Sequence, residues 1–376
     1  MKQFHFIRPA VCLLLAGIMM FALAACGQEP KPEVSSGETG QSEVSKEEIS
    51  KEPEKPLNLL TGRHELDPES VGKRPVSFMI NNIQIALPQY GIGDADIIFE
   101  ALAEGGITRL LAVFPDPAKL PAQVGPIRSA RDYYLDFAAP SDAIFVNWGT
   151  SNIAAKAIRE RHIDNIDGMY YSNYYYTDLN LAHQKGWEHS RFMRPDGLAK
   201  VLKARNQRVA TDNKQTYFKF RDEKKPFVPA DQSVIHLQAR FSYSYDATFD
   251  YNEKTMQYEV SEFGKPHMDN ASKKQLAFDN VLVLFTSVRR VGTKDGKVAV
   301  GLEEGNGIYV SRGGGMSVRW HKGSPESHFT FQDQNGVPVE LNAGTTYVCV
   351  VPLEQQQNTV IKGAEKPSES SAAQQG

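Results

Sequence analysis

Carboxylates and arginines are concentrated in one part of this 376-residue chain, and their chemistry is the first question that the sequence raises. The stretch DADIIFEALAEGGITRLL carries Glu100, Glu104 and Arg109, and the stretch GPIRSARDYY carries Arg128 and Arg131. Two carboxylates on one surface can act as general acid and general base, whereas arginines bind carboxylates and phosphates through paired hydrogen bonds. Glu100 and Glu104 are therefore the candidate catalytic residues. Arg109, Arg128 and Arg131 are the candidate ligand-binding residues.

A β-hairpin is predicted to position the first three of these residues. The diglycine at residues 105–106 stands between two alternating runs, which is typical of a two-residue turn and pairs Leu102 with Arg109. One face of this hairpin would carry the charged side chains of Asp96, Glu100, Glu104 and Arg109. A helix over the same residues would also place Glu100 and Glu104 on one face, at positions i and i+4. Both interpretations therefore predict that the charges lie together.

A helix is predicted to position the other two arginines. Ser129 is followed three residues later by a carboxylate, which indicates a helix over residues 130–139 with Ser129 as its N-cap. Arg128 and Arg131 would then lie at the positive end of the helix, where an unmatched cation costs roughly 0.3 to 1 kcal/mol. We therefore expect a negative charge nearby. It is either one of the protein's own carboxylates, in a structural ion-pair network, or a bound anion.

An aromatic run follows between residues 168 and 198. Its tyrosine and tryptophan residues are Tyr170, Tyr171, Tyr174, Tyr175, Tyr176 and Trp187. Tyrosine and tryptophan rings that are exposed could stack on sugars or on arginine side chains, whereas buried ones simply pack. The sequence leaves both interpretations open.

No metal or cofactor is predicted. The histidines at positions 183, 189, 321 and 328 lack the spacing of a known ligand motif, and no dinucleotide-binding, P-loop or nucleophile-elbow motif is present. A formal net charge of −3 argues against nucleic acid as the main partner. The sequence leaves enzymatic activity uncertain and favours a role other than catalysis.

The first 56 residues predict export and anchoring. A basic start, a short apolar run and the sequence LAAC ending at Cys26 are typical of a bacterial lipoprotein signal, residues 1–25, after which Cys26 would carry the lipid. Residues 26–56 are polar and contain no aromatic residue, so we expect a disordered tether. The predicted location is the outer face of the cytoplasmic membrane.

The rest of the chain divides by pattern into two blocks, which together predict an α+β fold. Residues 57–205 alternate strand-like and helical runs and indicate a mixed α/β domain. Residues 206–232 contain the charged run RDEKKP and are the predicted linker. Residues 233–353 show strict alternation and turn signals, which predict a mainly antiparallel β domain. Residues 354–376 are predicted to be a disordered tail.

Several of these segments resemble the YerB-like lipoproteins of Gram-positive bacteria, which pair an N-terminal and a C-terminal domain of unknown function. The N-terminal resemblance lies in RPVSFMINN, DADIIFEALAEGGITRLLAVF, VGPIRSARDYY and DAIFVNWG, and the C-terminal one in DNVLVLF, GIYVSRGGGMSVRWHKG and NAGTTYVCVVP. The resemblance implies a membrane-anchored envelope lipoprotein. It implies no established activity.

Three functional hypotheses follow from these observations. The first is an envelope lipoprotein that binds an anionic cell-wall component, a peptide or a protein partner through Arg109, Arg128 and Arg131. The second is a hydrolase or lyase that acts on peptidoglycan, with Glu100 and Glu104 as acid and base. The third is a scaffold whose charged cluster is wholly internal. Burial distinguishes them, because binding requires accessible arginines and catalysis requires two carboxylates across one cleft.

Overall fold

The computed structural model describes residues 54–291 and 296–364 of the chain. The predicted signal peptide, Cys26 and all but the last three residues of the predicted tether lie outside the described residues. Within the described residues, no helix is long and apolar enough to cross a membrane.

The N-terminal part of the described chain alternates strands and helices. Its elements are β1 Val76–Asn81, β2 Ile97–Leu102, β3 Thr108–Phe114, α1 Asp132–Ala138, β4 Ile144–Asn147, α2 Asn152–Glu160, β5 Asn165–Asp167, β6 Tyr176–Thr177, α3 Leu179–Lys185, β7 Arg191–Phe192 and α4 Pro195–Ala204. Short 3₁₀ turns lie at Pro68–Ser70, Gln84–Ala86, Ile92–Asp94, Ala139–Ser141, Ser172–Tyr174 and Trp187–His189.

The C-terminal part is built from strands. They are β8 Gln232–Ser233, β9 His236–Arg240, β10 Asp246–Asn252, β11 Gln257–Glu262, β12 Lys265–Pro266, β13 Ala277–Phe278, β14 Asn280–Thr286, β15 Val288–Arg290, β16 Val298–Val300, β17 Glu304–Ser311, β18 Gly314–His321, β19 Thr330–Gln332, β20 Pro338–Val339, β21 Thr346–Pro352 and β22 Val360–Lys362. One further 3₁₀ segment spans Leu353–Asn358. The predicted α+β class is confirmed.

One central sheet runs through both parts of the chain. Its strand order is β20-β19-β18-β17-β14-β21-β2-β3-β1-β4-β5. β2 pairs in parallel with β21, so that Ile97 lies opposite Thr346 and Ala101 opposite Val350. The two predicted blocks are therefore hydrogen-bonded into a single sheet.

The two faces of this sheet are covered by different elements. One face packs against α4 and a second sheet, of order β12-β11-β10-β9-β22 with β13 beside β11. The other face packs against the aromatic residues of α1 and against Tyr217 and Phe218. β2 and β3 are buried along their whole length, which explains their nearly continuous apolar runs.

The predicted linker and tail are both more ordered than the composition suggests. Tyr217 and Phe218, inside the predicted linker 206–232, are each 1% exposed. The prediction of a disordered tail is wrong for residues 354–364, because β22 pairs with β9, with Ile361 opposite Leu237. Composition alone does not predict such a strand, because the strand is ordered by pairing with the edge of a sheet that other parts of the chain form.

The predicted start of α1 is also wrong. The helix begins at Asp132, and its N-cap is Arg131 rather than Ser129. The Ser129 hydroxyl donates to the carbonyl of Trp148 at 2.9 Å, and the amide of Ala130 donates to the carbonyl of Gly149 at 2.9 Å. Residues 128–130 are therefore extended, because they bond to the segment that leaves β4.

The hairpin exists, but its register differs from the prediction by one residue. The turn has three residues, 104–106, because the amide of Ala103 donates to the carbonyl of Ile107 at 2.7 Å. Leu102 consequently pairs with Thr108, and Ala101 with Arg109. A shift of one residue moves a side chain to the other face of a sheet, so the predicted grouping of charges on one face is wrong.

Candidate functional site

The two candidate catalytic carboxylates lie apart. Glu100 pairs with Leu110, so its side chain projects from the face that packs on the second sheet, where it is 1% exposed. Glu104 lies in the turn and contacts arginines on the opposite face. Two carboxylates separated by a sheet cannot act together on one bond. The predicted acid–base pair is therefore not formed.

Glu104 instead joins two of the three candidate arginines. Arg131 donates from Nε at 2.9 Å and from Nη2 at 2.7 Å to Oε2 of Glu104, and Arg109 donates from Nη2 to Oε1. Arg109 is 2% exposed and also donates to the carbonyl of Ser129. Arg109 and Arg131 thus have the internal partner that the structural interpretation requires.

Electrostatics support this assignment. Burial alone would raise the pKa of Glu104, but Arg109 and Arg131 hold it below its usual value. Burial, reinforced by the neighbouring charge of Arg131, lowers the pKa of Arg109 to about 10. Glu104 and Arg109 are therefore both charged near neutral pH, and Arg131 completes an ion-pair triad with them.

Arg128 differs from the other two arginines. Its backbone is held by the carbonyl of Met79 and the amide of Trp148, at 2.8 and 3.0 Å. Its half-buried guanidinium makes no hydrogen bond or ion pair to any described residue, although Glu104 and Glu188 lie close enough to act on it electrostatically. Burial lowers the pKa of Arg128. A partly desolvated cation without a bonded anion is the feature expected of a ligand-binding residue.

This arginine lies at the edge of the sheet where parallel strands end. β1, β4 and β5 are parallel neighbours that finish at Asn81, Asn147 and Asp167. Ligands of open α/β sheets bind outside the carboxyl ends of such strands. Here the side-chain amide of Asn81 donates to Nδ1 of His189 at 2.7 Å. We call this edge, with Arg128 and the aromatic residues beside it, the carboxyl-edge site.

The aromatic run supplies much of that surface. The guanidinium of Arg191 lies 4.4 Å from the ring centre of Trp148 and 5.1 Å from that of Trp187. Arg194 lies 3.5 Å from the ring centre of Tyr176. Of the two interpretations that the sequence leaves open, stacking on arginine side chains is thus present for Trp187 and Tyr176. Tyr175, by contrast, is a core residue whose hydroxyl donates to buried carbonyls.

The described residues contain no cluster of histidine, cysteine and carboxylate side chains that could hold a metal ion. His183 is exposed on α3, whereas His189 is buried against Asn81. Cys349 is fully buried in β21, and burial raises the pKa of its thiol well above the usual value. A neutral, inaccessible thiol is inert.

A buried polar network surrounds Glu100, and sequence reasoning missed it. Nδ2 of Asn82 donates to Oε1 of Glu100 at 3.1 Å and to Oε1 of Glu262 at 3.0 Å, and the hydroxyl of Tyr347 donates to Oε2 of Glu100 at 2.8 Å. His267 lies 3.6 Å from Glu262. These residues come from four separate segments, so no local pattern indicates that they meet.

The network is closed to solvent, and this burial determines the protonation states of its ionisable groups. Burial raises the pKa of Glu100 to about 7 and raises that of Glu262 well above its usual value. Burial lowers the pKa of His267 to about 4. Neutral forms are thus favoured throughout. Glu100, Glu262 and His267 are each at most 2% exposed, so the network cross-links the two sheets and offers no surface to a substrate.

Comparison with known proteins shows which proteins resemble this chain in sequence and architecture. Residues 60–209 match the family model described as "Protein of unknown function (DUF3048) N-terminal domain", and residues 237–348 match the corresponding C-terminal domain. YerB of Bacillus subtilis strain 168, which is named as a lipoprotein, is 28% identical over 254 residues, covering 66% of this chain and 73% of YerB. The crystal structure of B. subtilis YerB is 24% identical, with a TM-score of 0.69, and covers 82% of this chain and 100% of the crystallised chain. The last comparison shows the shared fold.

Proposed function

This chain belongs to the DUF3048 family of proteins of unknown function, and we propose that it is a lipid-anchored envelope protein that binds an anionic ligand at the carboxyl-edge site. The anchor is the thiol of Cys26, which follows the apolar run and the small residues of LAAC. The lipoprotein name of the relative YerB supports this part of the proposal. The folded part then lies on the outer face of the cytoplasmic membrane, joined to the lipid by the polar tether.

Arg128 carries the binding part of the proposal. One carboxylate, Glu104, bonds to both Arg109 and Arg131 and leaves Arg128 without a bonded anion. Burial disfavours the charge of Arg128 and repulsion by Arg131 adds to this penalty, while the nearby carboxylates Glu104 and Glu188 offset part of it. A carboxylate or phosphate that bonds to Arg128 would remove both penalties. The ligand is therefore an anionic cell-wall component, peptide or partner segment.

The geometry favours this function over the two alternatives. A peptidoglycan hydrolase built on Glu100 and Glu104 would need both carboxylates on one side of a sheet, and they lie on opposite faces. A purely structural role accounts for Arg109 and Arg131, which are bonded to Glu104. It does not account for a half-buried Arg128 beside the strand ends.

The test is thermal unfolding of the chain without its signal peptide, in increasing phosphate at constant ionic strength. We expect phosphate to stabilise the wild type, by about 2.7 kcal/mol at a hundredfold excess over its dissociation constant. Arg128→Gln should lose this gain. Arg159→Gln, which removes the same charge from an exposed position of α2, should keep it. Equal stabilisation of all three proteins would show that phosphate acts generally and would refute a site at Arg128.

A further inference from the structure

Arg191 occupies an unusual position beside Arg128. Its guanidinium stacks on two indole rings, those of Trp148 and Trp187, and Nη1 donates to the hydroxyl of Thr177 at 2.6 Å. No described carboxylate forms an ion pair with it. Two indole faces fix the position of the cation and leave its charge uncompensated. A second arginine of the carboxyl-edge site is thus prepared for an anion.

The two arginines belong to one continuous surface. The amide of Ile127, next to Arg128, donates to the carbonyl of Arg191 at 2.7 Å. The amide of Trp148 donates to the carbonyl of Arg128 at 3.0 Å. Trp148 therefore links the two arginines, because its backbone bonds to Arg128 and its ring stacks on Arg191.

One exposed aromatic residue, Trp187, contacts Arg191, and a second, Tyr170, lies in the segment that follows β5. Trp187 is 53% exposed and Tyr170 is 82% exposed. Tyr170 follows Met169, which lies beside the Ser129–Gly149 contact at the strand ends. Flat aromatic faces of this kind pack against the C–H faces of sugar rings, while their polar edges remain hydrated.

From this combination we propose that the carboxyl-edge site binds an anionic glycan. Sugar rings stack on the exposed faces of Trp187 and Tyr170, and the acidic groups of the glycan bond to Arg191 and Arg128. The inference rests on the proposed anion site at Arg128 and adds the sugar rings as the second element of recognition. A peptide carboxylate would use the arginines and leave the aromatic faces unused. A neutral glycan would use the aromatic faces and leave both cations without an anion.

The test is isothermal titration calorimetry, which measures binding equally well in variants that lack the exposed Trp187. The probes are oligogalacturonate, a sugar acid polymer; maltohexaose, a neutral glucan of similar rings; polyglutamate, a polyanion without sugar rings; and a single-stranded oligonucleotide. All titrations use the chain without its signal peptide, at constant ionic strength. We expect oligogalacturonate to bind about tenfold or more tightly than the other three. A tenfold difference in affinity is about the contribution of one ring stacked on an aromatic side chain.

Variants separate the two elements of recognition. Trp187→Ala should weaken oligogalacturonate binding about tenfold, and Trp187→Tyr, which keeps a stacking face, should restore most of it. Arg191→Gln should weaken oligogalacturonate binding and leave maltohexaose unaffected. Tyr243→Ala is the matched control, because Tyr243 is a 94% exposed aromatic residue outside the site. Thermal unfolding of each variant confirms that it is folded.

Several results would overturn the inference. Polyglutamate that binds as tightly as oligogalacturonate would assign the site to an anion without sugar rings, and the Arg128-dependent phosphate effect could still hold. An oligonucleotide that binds more tightly would assign the surface to nucleic acid. A Trp187→Ala protein that binds oligogalacturonate like the wild type would remove the stacking role. Loss of the phosphate effect itself would instead refute the proposed anion site.

Discussion

Arg131 donates two hydrogen bonds to a single oxygen of Glu104, at 2.9 and 2.7 Å, across 27 positions of sequence. The other oxygen of that carboxylate accepts from the buried Arg109. One carboxylate therefore holds the hairpin turn to the segment that enters α1. This arrangement makes Glu104 a structural residue and separates its role from that of Arg128.

Replacing Glu104 should destabilise the protein. Glu104→Gln leaves the 2%-exposed Arg109 without its anion, and breaking a buried pair costs about 3 to 5 kcal/mol. The Glu104 side chain is 27% exposed, so we expect the lower end, about 3 kcal/mol, in urea unfolding. Glu340→Gln is the control, since Glu340 is exposed and its replacement should change stability by less than about 0.5 kcal/mol. Equal effects of the two substitutions would contradict the triad.

Arg131 and Arg128 should respond differently to truncation. Arg131→Ala removes two charge-assisted hydrogen bonds to Glu104, which contribute about 1.5 to 3 kcal/mol. Arg128→Ala removes no hydrogen bond between the guanidinium and a described residue. It loses the attraction of Glu104 and Glu188 but relieves the burial of the charge and its repulsion by Arg131, so stability should change by less than about 1 kcal/mol in anion-free buffer. Denaturant midpoints of the two variants provide the comparison. A larger loss for Arg128→Ala would mean that Arg128 has a structural partner.

The buried network should make stability depend on pH. The folded pKa of Glu100, about 7, lies above the usual 4.5, so its contribution is complete below about 4.5 and is lost as pH rises through about 7. His267 has the opposite sign: its folded pKa of about 4 lies below 6.5, so its contribution is complete above 6.5 and is lost as pH falls through about 4. The two oppose each other between about pH 4.5 and 6.5.

Above pH 6.5 the buried carboxyl groups should dominate the pH dependence of stability. We expect the unfolding free energy of the wild type to fall by up to about 1.4 kcal/mol per pH unit and per proton between about pH 6.5 and 7. Glu100→Gln should reduce this slope, and Glu160→Gln, on the exposed end of α2, should not. Urea unfolding at a series of pH values measures it. The same slope in both variants would place the responsible proton elsewhere.

Lipid attachment should require one particular cysteine. Cys26→Ala should abolish incorporation of a palmitate analogue in growing cells, because the thiol is the acceptor. Cys12→Ala, within the predicted signal peptide, should leave labelling intact. Metabolic labelling followed by gel fluorescence gives the answer. Unlabelled wild-type protein would refute the anchor.

The two halves of the chain should depend on each other for folding. Residues 57–232 alone would lose β21, the partner of the buried strand β2, and would expose a long apolar sheet edge. We expect this fragment to aggregate or remain unfolded by circular dichroism. Co-expression with residues 233–364 should restore a soluble complex. A fragment that folds cooperatively by itself would show that the shared sheet is not essential.

Local patterns were sufficient for part of this structure. The apolar runs of β1, β3 and β14, the amphipathic helices α2 and α4, and the α+β class follow from short-range periodicity, which one segment carries by itself. The concentration of charge around Glu104 was visible in the sequence for the same reason. So was the proximity of aromatic rings to arginines in the run from residue 168 to residue 198.

The tertiary structure decided which charges meet. The turn includes Glu104 in addition to the two glycines, which shifts the hairpin register and sends Glu100 and Arg109 to opposite faces, and the sequence pattern fits either turn length. Glu100 accepts from Asn82 and Tyr347, and Asn82 also donates to Glu262, which lies beside His267. Only the packing of two sheets brings these residues together. The availability of Arg128 depends on Glu104 bonding to the other two arginines. Burial and pairing arise from contacts distant in sequence, so residue types alone did not determine them.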